Sequence, residues 1–128
     1  MTRKFLVAVS VLLFGAGLAL AQTPSPECPT PIYDGKQVSK KAKITFYPPP
    51  EPSRDKRAQS VTGTVELRVV LCRSGRVTDI EPVRKLPYGI TENAIDAAKR
   101  ARFVPAQKDG QTVSQRASFE YRFDGDNP

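Results

Sequence analysis

Alternating apolar and polar side chains mark two long segments in the second half of the chain. Residues 62–71 place four apolar side chains on one side (Val65, Leu67, Val69, Leu71). Residues 112–123 repeat the alternation, and Gln115 is the one polar residue in the apolar register. Because successive side chains of a strand point to opposite faces, each segment predicts a strand with one buried face.

A hairpin is predicted to follow the first of these strands. Ser74-Gly75 supplies the turn, since glycine readily adopts a positive φ. Residues 76–85 return as the partner strand. Their apolar residues are spaced by three rather than two, which predicts either a bulge or an early exit from the sheet near Pro82.

Helical periodicity appears in two places. Residues 94–101 carry an apolar stripe of small residues, with Thr91 as the predicted N-cap and Pro105 as the stop (Ala94, Ile95, Ala98, Ala101). Residues 53–59 contain good helix formers behind Ser53, and they predict a second, short helix.

The order of these elements predicts an α+β fold. Residues 43–47 form a short apolar run that ends at three prolines, which fits a first strand. The predicted architecture is therefore a small antiparallel β-sheet with two helices packed on one face.

The N-terminal residues predict export. Arg3 and Lys4 precede a long apolar stretch, and Ala19-Leu20-Ala21 has the small residues of a cleavage site, so we assign residues 1–21 to a signal peptide. An uncleaved membrane anchor is the alternative. Residues 22–42, rich in Pro and Lys, are predicted to be an extended lead before a folded domain at residues 43–126.

Two cysteines, Cys28 and Cys72, become relevant once the chain is exported. An oxidising compartment allows them to form a disulfide. The alternative is two unrelated thiols, with Cys72 serving as an apolar residue at the end of a strand.

Composition argues against catalysis and against nucleic-acid binding. The chain has no histidine, which excludes His-based acid–base catalysis and His metal ligands. Asp79 and Glu81 share a strand face, but a solvated face explains them without a pocket. The net charge is +7, and its basic residues are spread along the sequence. We therefore expect no enzyme, metal or cofactor, and a solvated basic surface with at most a weak attraction to anionic lipid or acidic partners.

Binding is the remaining function, and a sheet edge can provide it. An unpaired edge strand is a template for another strand, whose backbone supplies affinity while alternate side chains supply specificity. The charged residues on the outer face of the last strand can either prevent aggregation or select a partner.

From Lys43 onward the chain resembles the C-terminal, receptor-binding domain of the TonB family. The resemblance rests on the order of short motifs (Gly63-Thr-Val65, Ser74-Gly-Arg-Val77, the helix 94–101, Arg102-Phe-Val-Pro-Ala106, Asp109-Gly110). It implies the same sheet with two helices, and a periplasmic role in energy-dependent transport across the outer membrane.

The resemblance also implies a mode of binding. Family members add a short extended receptor segment, the TonB box, to the edge of the strand that follows the Arg-Phe-x-Pro-Ala motif. In this sequence the corresponding partner-binding residues are Val113, Ser114, Gln115, Arg116, Ala117, Ser118, Phe119, Glu120, Tyr121, Arg122 and Phe123. Residues 49–53 correspond to a second receptor contact.

The implied partner is an outer-membrane receptor or another envelope protein, and a homodimer is left open. A membrane is a partner only if the leader is retained, which would place the protein on the periplasmic side of the inner membrane. The alternative function is a free secreted scaffold, adaptor or self-associating module that uses the fold without energy transduction.

Overall fold

The computed structural model describes residues 27–125, so the predicted leader and the first residues of the predicted lead lie outside it. The described residues form one α-helix, a short 3-10 helix at Lys56–Ser60 and seven strands. In chain order the elements are β1 (Ile32–Tyr33), β2 (Lys43–Phe46), β3 (Thr62–Leu71), β4 (Val77–Arg84), α1 (Ile90–Lys99), β5 (Arg102–Val104), β6 (Ala106–Lys108) and β7 (Gln111–Asp124).

The strands β3 and β7 are the two alternating segments, and they pair along their full common length. Their antiparallel register runs from Thr62 opposite Asp124 to Leu71 opposite Gln115. The apolar sides of both strands are buried beneath α1, as the alternation predicts. β4 completes the hairpin, and Glu66 pairs with Arg84 while Leu67 pairs with Pro82, which confirms the predicted bulge at this point.

The sheet is mixed, which corrects the prediction of a purely antiparallel sheet. Its order is β1-β7-β3-β4, and β1 pairs with β7 in parallel. Alternation within a strand does not reveal the direction of a neighbour that comes from a distant part of the chain. A second, two-stranded sheet joins β2 to β5.

The prediction of two packed helices is wrong. Residues 53–59 do not form an α-helix, and only the 3-10 helix at Lys56–Ser60 is present, capped by Asp55 rather than Ser53. The segment between the prolines and β3 is too short for stable α-helical hydrogen bonding, which needs several turns or strong packing. Ser53 instead donates a hydrogen bond to the Tyr88 carbonyl.

The start of α1 also differs from the prediction. Its N-cap is Gly89, whose φ of 79° lies in the left-handed region, and Thr91 lies within the first turn. The buried Thr91 hydroxyl accepts a hydrogen bond from Leu86 N and donates one to Leu86 O, each at 2.8 Å. Thr91 therefore fixes the loop before the helix. Three fully buried alanines bring α1 close to the sheet (Ala94, Ala97, Ala98).

Candidate functional site

The strand β7 has one fully paired edge and one partly open edge. β3 covers one edge along residues 115–124. β6 pairs with residues 111–113, and β1 pairs with Ser114 and Gln115. Within residues 27–125, no second strand pairs with β7 beyond Gln115. The open edge therefore consists of residues 116–124.

The backbone groups of the open edge alternate in direction. Gly125 N donates to Val61 O at 3.1 Å, which extends the register of β3 and β7 and shows that odd-numbered residues of β7 face β3. Because neighbouring residues of a strand direct their N–H and C=O groups to opposite sides, those of Arg116, Ser118, Glu120 and Arg122 point away from β3. The parallel pairing of Tyr33 with Gln115 already engages the Arg116 N–H, because the Gln115 backbone groups face β3. The groups of Ser118, Glu120 and Arg122 are available to an added strand.

A groove runs beside the open edge on the helix-covered side of the sheet. It has a volume of about 390 Å³. Ala42, Ile44 and Tyr47 line one wall, and the other lining comes from β7 residues 115 and 117–120 together with Leu71. The groove therefore places apolar side chains next to unpaired backbone groups.

Two side-chain hydrogen bonds cross from one wall of the groove to the other. Gln115 Oε1 accepts a bond from Ala42 N at 2.9 Å, which explains the one polar residue in the apolar register of β7. Tyr47 Oη donates to Glu120 O at 3.0 Å. The Tyr47 ring also stacks on Tyr121 and meets Phe119 edge-on, with ring centroids 4.9 and 5.2 Å apart. Residues 116–119 of β7 therefore lie between these two hydrogen bonds.

The lead is fixed to the sheet where the open edge begins. Cys28 and Cys72 form a disulfide with Cα atoms 5.6 Å apart, so the structure confirms their pairing rather than two separate thiols. The buried Ser114 hydroxyl lies 3.0 Å from Cys28 Sγ and accepts a bond from Arg73 N at 2.9 Å. Arg116 Nη1 donates to Ile32 O at 3.1 Å. Residues 28–33 thereby occupy the edge up to Gln115.

The predicted partner-binding residues thus have three different environments. Val113 pairs with Ala106 of β6, and Ser114 and Gln115 pair with β1. The other eight residues lie on the open edge. Four of them direct side chains toward the helix-covered side and four toward the opposite face (Ala117, Phe119, Tyr121, Phe123; Arg116, Ser118, Glu120, Arg122).

The opposite wall of the groove was not predicted from the sequence. This wall consists of Ala42 at the end of the lead, Ile44 in β2 and Tyr47 just after β2. In the sequence, only the aromatic Tyr47 before the prolines could have indicated it. Residues 49–53, the predicted second contact, lie near α1, where Asn93 Nδ2 donates to Glu51 O at 3.0 Å.

The described residues contain little that could support other chemistry. Asp79 and Glu81 are both exposed. In the range 27–125, no group of three or more His, Cys, Asp or Glu side chains is placed to hold a metal ion. The helices in this range are also too short or too polar to cross a membrane.

Two tyrosines beside the groove differ in how their hydroxyls are satisfied. Burial raises the pKa of both Tyr47 and Tyr121. Tyr47 has its partner in Glu120 O, whereas the buried Tyr121 hydroxyl makes no hydrogen bond to any residue of the described range. A buried hydroxyl without a partner costs about 1–3 kcal/mol.

We expect Tyr121→Phe to raise the free energy of unfolding by about 1 kcal/mol, because it removes an unsatisfied polar atom and keeps the ring. Tyr47→Phe is the matched control and should lower it by about 1 kcal/mol, since it removes a formed hydrogen bond. Urea unfolding of both variants measures the difference. Destabilisation of similar size in both would contradict this account of Tyr121.

Comparison with known proteins agrees with this architecture. The sequence matches the family described as Gram-negative bacterial TonB protein C-terminal over residues 47–124, which is more than half of the chain. A solution NMR structure of the Pseudomonas aeruginosa TonB CTD has a similar fold, with a TM-score of 0.53 and 24% sequence identity over 66% of this chain and 86% of that chain. No curated protein matches the sequence. The match over residues 47–124 shows that this chain belongs to the TonB C-terminal family.

Proposed function

We propose that this protein serves transport across the outer membrane by binding an extended segment of a receptor, or of another envelope protein, along the open edge of β7. The observation that carries the proposal is the row of backbone groups on residues 118–122 that face no second strand and lie beside an apolar groove. Family membership supports a role in envelope transport, and the edge supports the mode of binding.

Backbone pairing would supply most of the affinity. An added strand can form hydrogen bonds with Ser118 and Arg122, whose N–H and C=O groups point away from β3. Pairing at Glu120 requires the Tyr47 hydroxyl to leave its carbonyl or to share it. A carbonyl oxygen has two lone pairs, so Tyr47 can remain in place while the strand binds.

Side chains on both sides of the edge would select the partner. On the groove side, Ile44, Ala42 and the Tyr47 ring favour an apolar residue of the added segment. On the other face, Arg116 and Arg122 are exposed and lie on either side of Glu120. Acidic residues in the segment would therefore be favoured opposite either arginine, and a basic residue opposite Glu120.

The proposal also includes export of the protein, with the leader either cleaved or retained. We assign residues 1–21 to a signal peptide, residues 22–42 to the lead and residues 43–126 to the binding domain, in a protein located in the periplasm. A leader retained as an anchor would allow coupling to an inner-membrane motor, and a cleaved leader would leave a free adaptor. The intact mass of the protein from its host distinguishes them, since one form begins at Met1 and the other at Gln22.

Amide hydrogen exchange tests the proposed edge directly. The probes are synthetic peptides copied from the periplasm-facing N-terminal segments of the host's outer-membrane receptors. We expect a binding peptide to slow exchange at Ser118 and Arg122, and to leave Ala117 and Phe119 unchanged because they already bond to β3. Nuclear magnetic resonance resolves these amides one by one.

Two other outcomes would overturn the proposal. Protection that falls on β4 and leaves β7 unchanged would place the partner on the other edge of the sheet. Protection of Ser118 and Arg122 that rises with protein concentration and needs no peptide would show that the edge pairs with a second copy of the chain, which is the self-associating alternative.

A further inference from the structure

Basic residues that are far apart in the sequence meet on one two-stranded ribbon. We define the basic ribbon as residues 40–46 together with residues 102–108. The two segments pair through Lys40 with Gln107 and through β2 with β5. Together they carry five cations and no acidic residue (Lys40, Lys41, Lys43, Arg102, Lys108). The charges are therefore more concentrated in the fold than in the sequence.

The basic ribbon has an inner and an outer face. Ile44 pairs with Phe103, and both contribute to the core. The neighbouring pairs lie on the other face, where Lys43 is opposite Val104 and Phe46, after a register shift, is opposite Arg102. Phe46 and Val104 are 51% and 50% exposed. The outer face thus presents two large apolar side chains, and each is paired across the ribbon with a cation: Val104 with Lys43, and Phe46 with Arg102.

Most of these cations lack a counter-charge among residues 27–125. The ion pairs among the described residues are Arg57 with Asp55, Lys99 with Asp96 and Arg116 with Asp34, and none involves the ribbon. Lys108 is partly engaged, since its ammonium group lies 5.1 Å from the centre of the Tyr33 ring and donates to Gln37 O at 3.2 Å. The four other cations are exposed and lie free to meet an external anion.

We propose that the outer face of the basic ribbon docks on an anionic phospholipid surface. Lys43 and Arg102 would lie among the headgroup phosphates, while Phe46 and Val104 would enter the boundary between headgroups and acyl chains. This combination distinguishes a lipid surface from a soluble anion, because a soluble anion would neutralise the cations and leave both apolar side chains in water.

This interaction goes beyond the proposed receptor binding and uses a different surface. The receptor segment would pair with backbone groups of β7, whereas lipid would meet exposed side chains of β2 and β5. The two interactions can therefore fail separately. A protein that holds both would meet its receptor segment close to a membrane surface.

Co-sedimentation with lipid vesicles tests the proposal, with protein purified from the periplasmic fraction of its expression host. One set of vesicles is pure phosphatidylcholine, and the other contains phosphatidylglycerol as the anionic lipid. We expect binding to the anionic vesicles only, and binding that weakens as salt is added. Phe46→Ser should weaken it several-fold by removing the apolar insertion.

The decisive variant is Lys43→Gln with Arg102→Gln, which should lower partitioning about 25-fold through the loss of two cations at an anionic surface. Arg73→Gln with Arg76→Gln is the matched control, because it makes the same charge change at exposed positions flanking the β3–β4 turn. The control should bind like the unmodified protein. Equal losses in both variants, or equal binding to both kinds of vesicle, would overturn the proposal.

Peptide binding on β7, measured in the same variant, distinguishes the lipid-docking hypothesis from the receptor-binding hypothesis. The Lys43→Gln, Arg102→Gln variant should retain peptide-induced exchange protection on β7, because both side chains are exposed and neither lines the groove. If lipid binding persists in this variant, the basic ribbon is not the docking surface, whatever the peptide result.

Discussion

Replacing Ser118 with proline is expected to weaken binding of the partner segment strongly and to leave the fold intact. Ser118 lies near the middle of the open edge, and its N–H points away from β3. Proline removes that donor, and its ring occupies the place of the incoming backbone. We expect affinity to fall on the order of 100-fold, because the lost bond and the disturbed neighbouring bond together remove about 2–3 kcal/mol.

Two control variants separate binding from folding. Ser118→Ala removes the side chain and keeps the N–H, so it should bind almost as the unmodified protein does. Ala117→Pro removes a donor that faces Val69 of β3, so it should lower the free energy of unfolding. Peptide titration and urea unfolding measure the two quantities. A Ser118→Pro protein that folds and binds normally would exclude the open edge as the binding site.

Removing the disulfide is expected to produce the largest loss of stability. Cys28 and Cys72 are 44 positions apart, and closing a loop of this length contributes about 4 kcal/mol by restricting the unfolded chain. We therefore expect the Cys28→Ala, Cys72→Ala variant to unfold at much lower urea concentration. The short strand β1 depends on the same link, so the Ser114 amide should exchange faster in the variant.

Chemical reduction provides the control for this effect. Unmodified protein treated with dithiothreitol should lose about as much stability as the double variant, since both lack the cross-link. If the variant loses much stability and the reduced protein loses none, the change comes from the packing of Cys28 and Cys72 around Val70 and not from the cross-link. No change in either experiment would contradict a structural role for the link.

The sequence alone predicted those parts of the fold that depend on local patterns. The ten alternating residues of β3 have the predicted bounds, and the bulge near Pro82 follows from the broken spacing of apolar residues. The predicted cap at Thr91 failed because a tertiary contact with Leu86 takes the hydroxyl that a cap would use. The second helix failed because too few residues separate the prolines from β3.

Long-range contacts explain what could not be predicted at the candidate site. The sequence predicts the last strand as the binding edge, but the part of it that β1 covers depends on residues far apart in the chain. Tyr47 and Glu120 meet across the groove although they are 73 positions apart in the sequence. The concentration of charge was missed for the same reason, because Lys43 and Arg102 become neighbours only when β2 pairs with β5.

The link between Cys28 and Cys72 also determines how the protein would carry mechanical load. Tension applied to the chain before Cys28 would cross the covalent bond into the end of β3 and would bypass β1, β2 and the 3-10 helix. β3 would transmit the load to β7 through their antiparallel ladder of ten residue pairs. Most of these pairs would be loaded in shear at the same time. A pull between the N terminus and a segment bound to β7 would therefore act on the longest hydrogen-bonded ladder of the sheet.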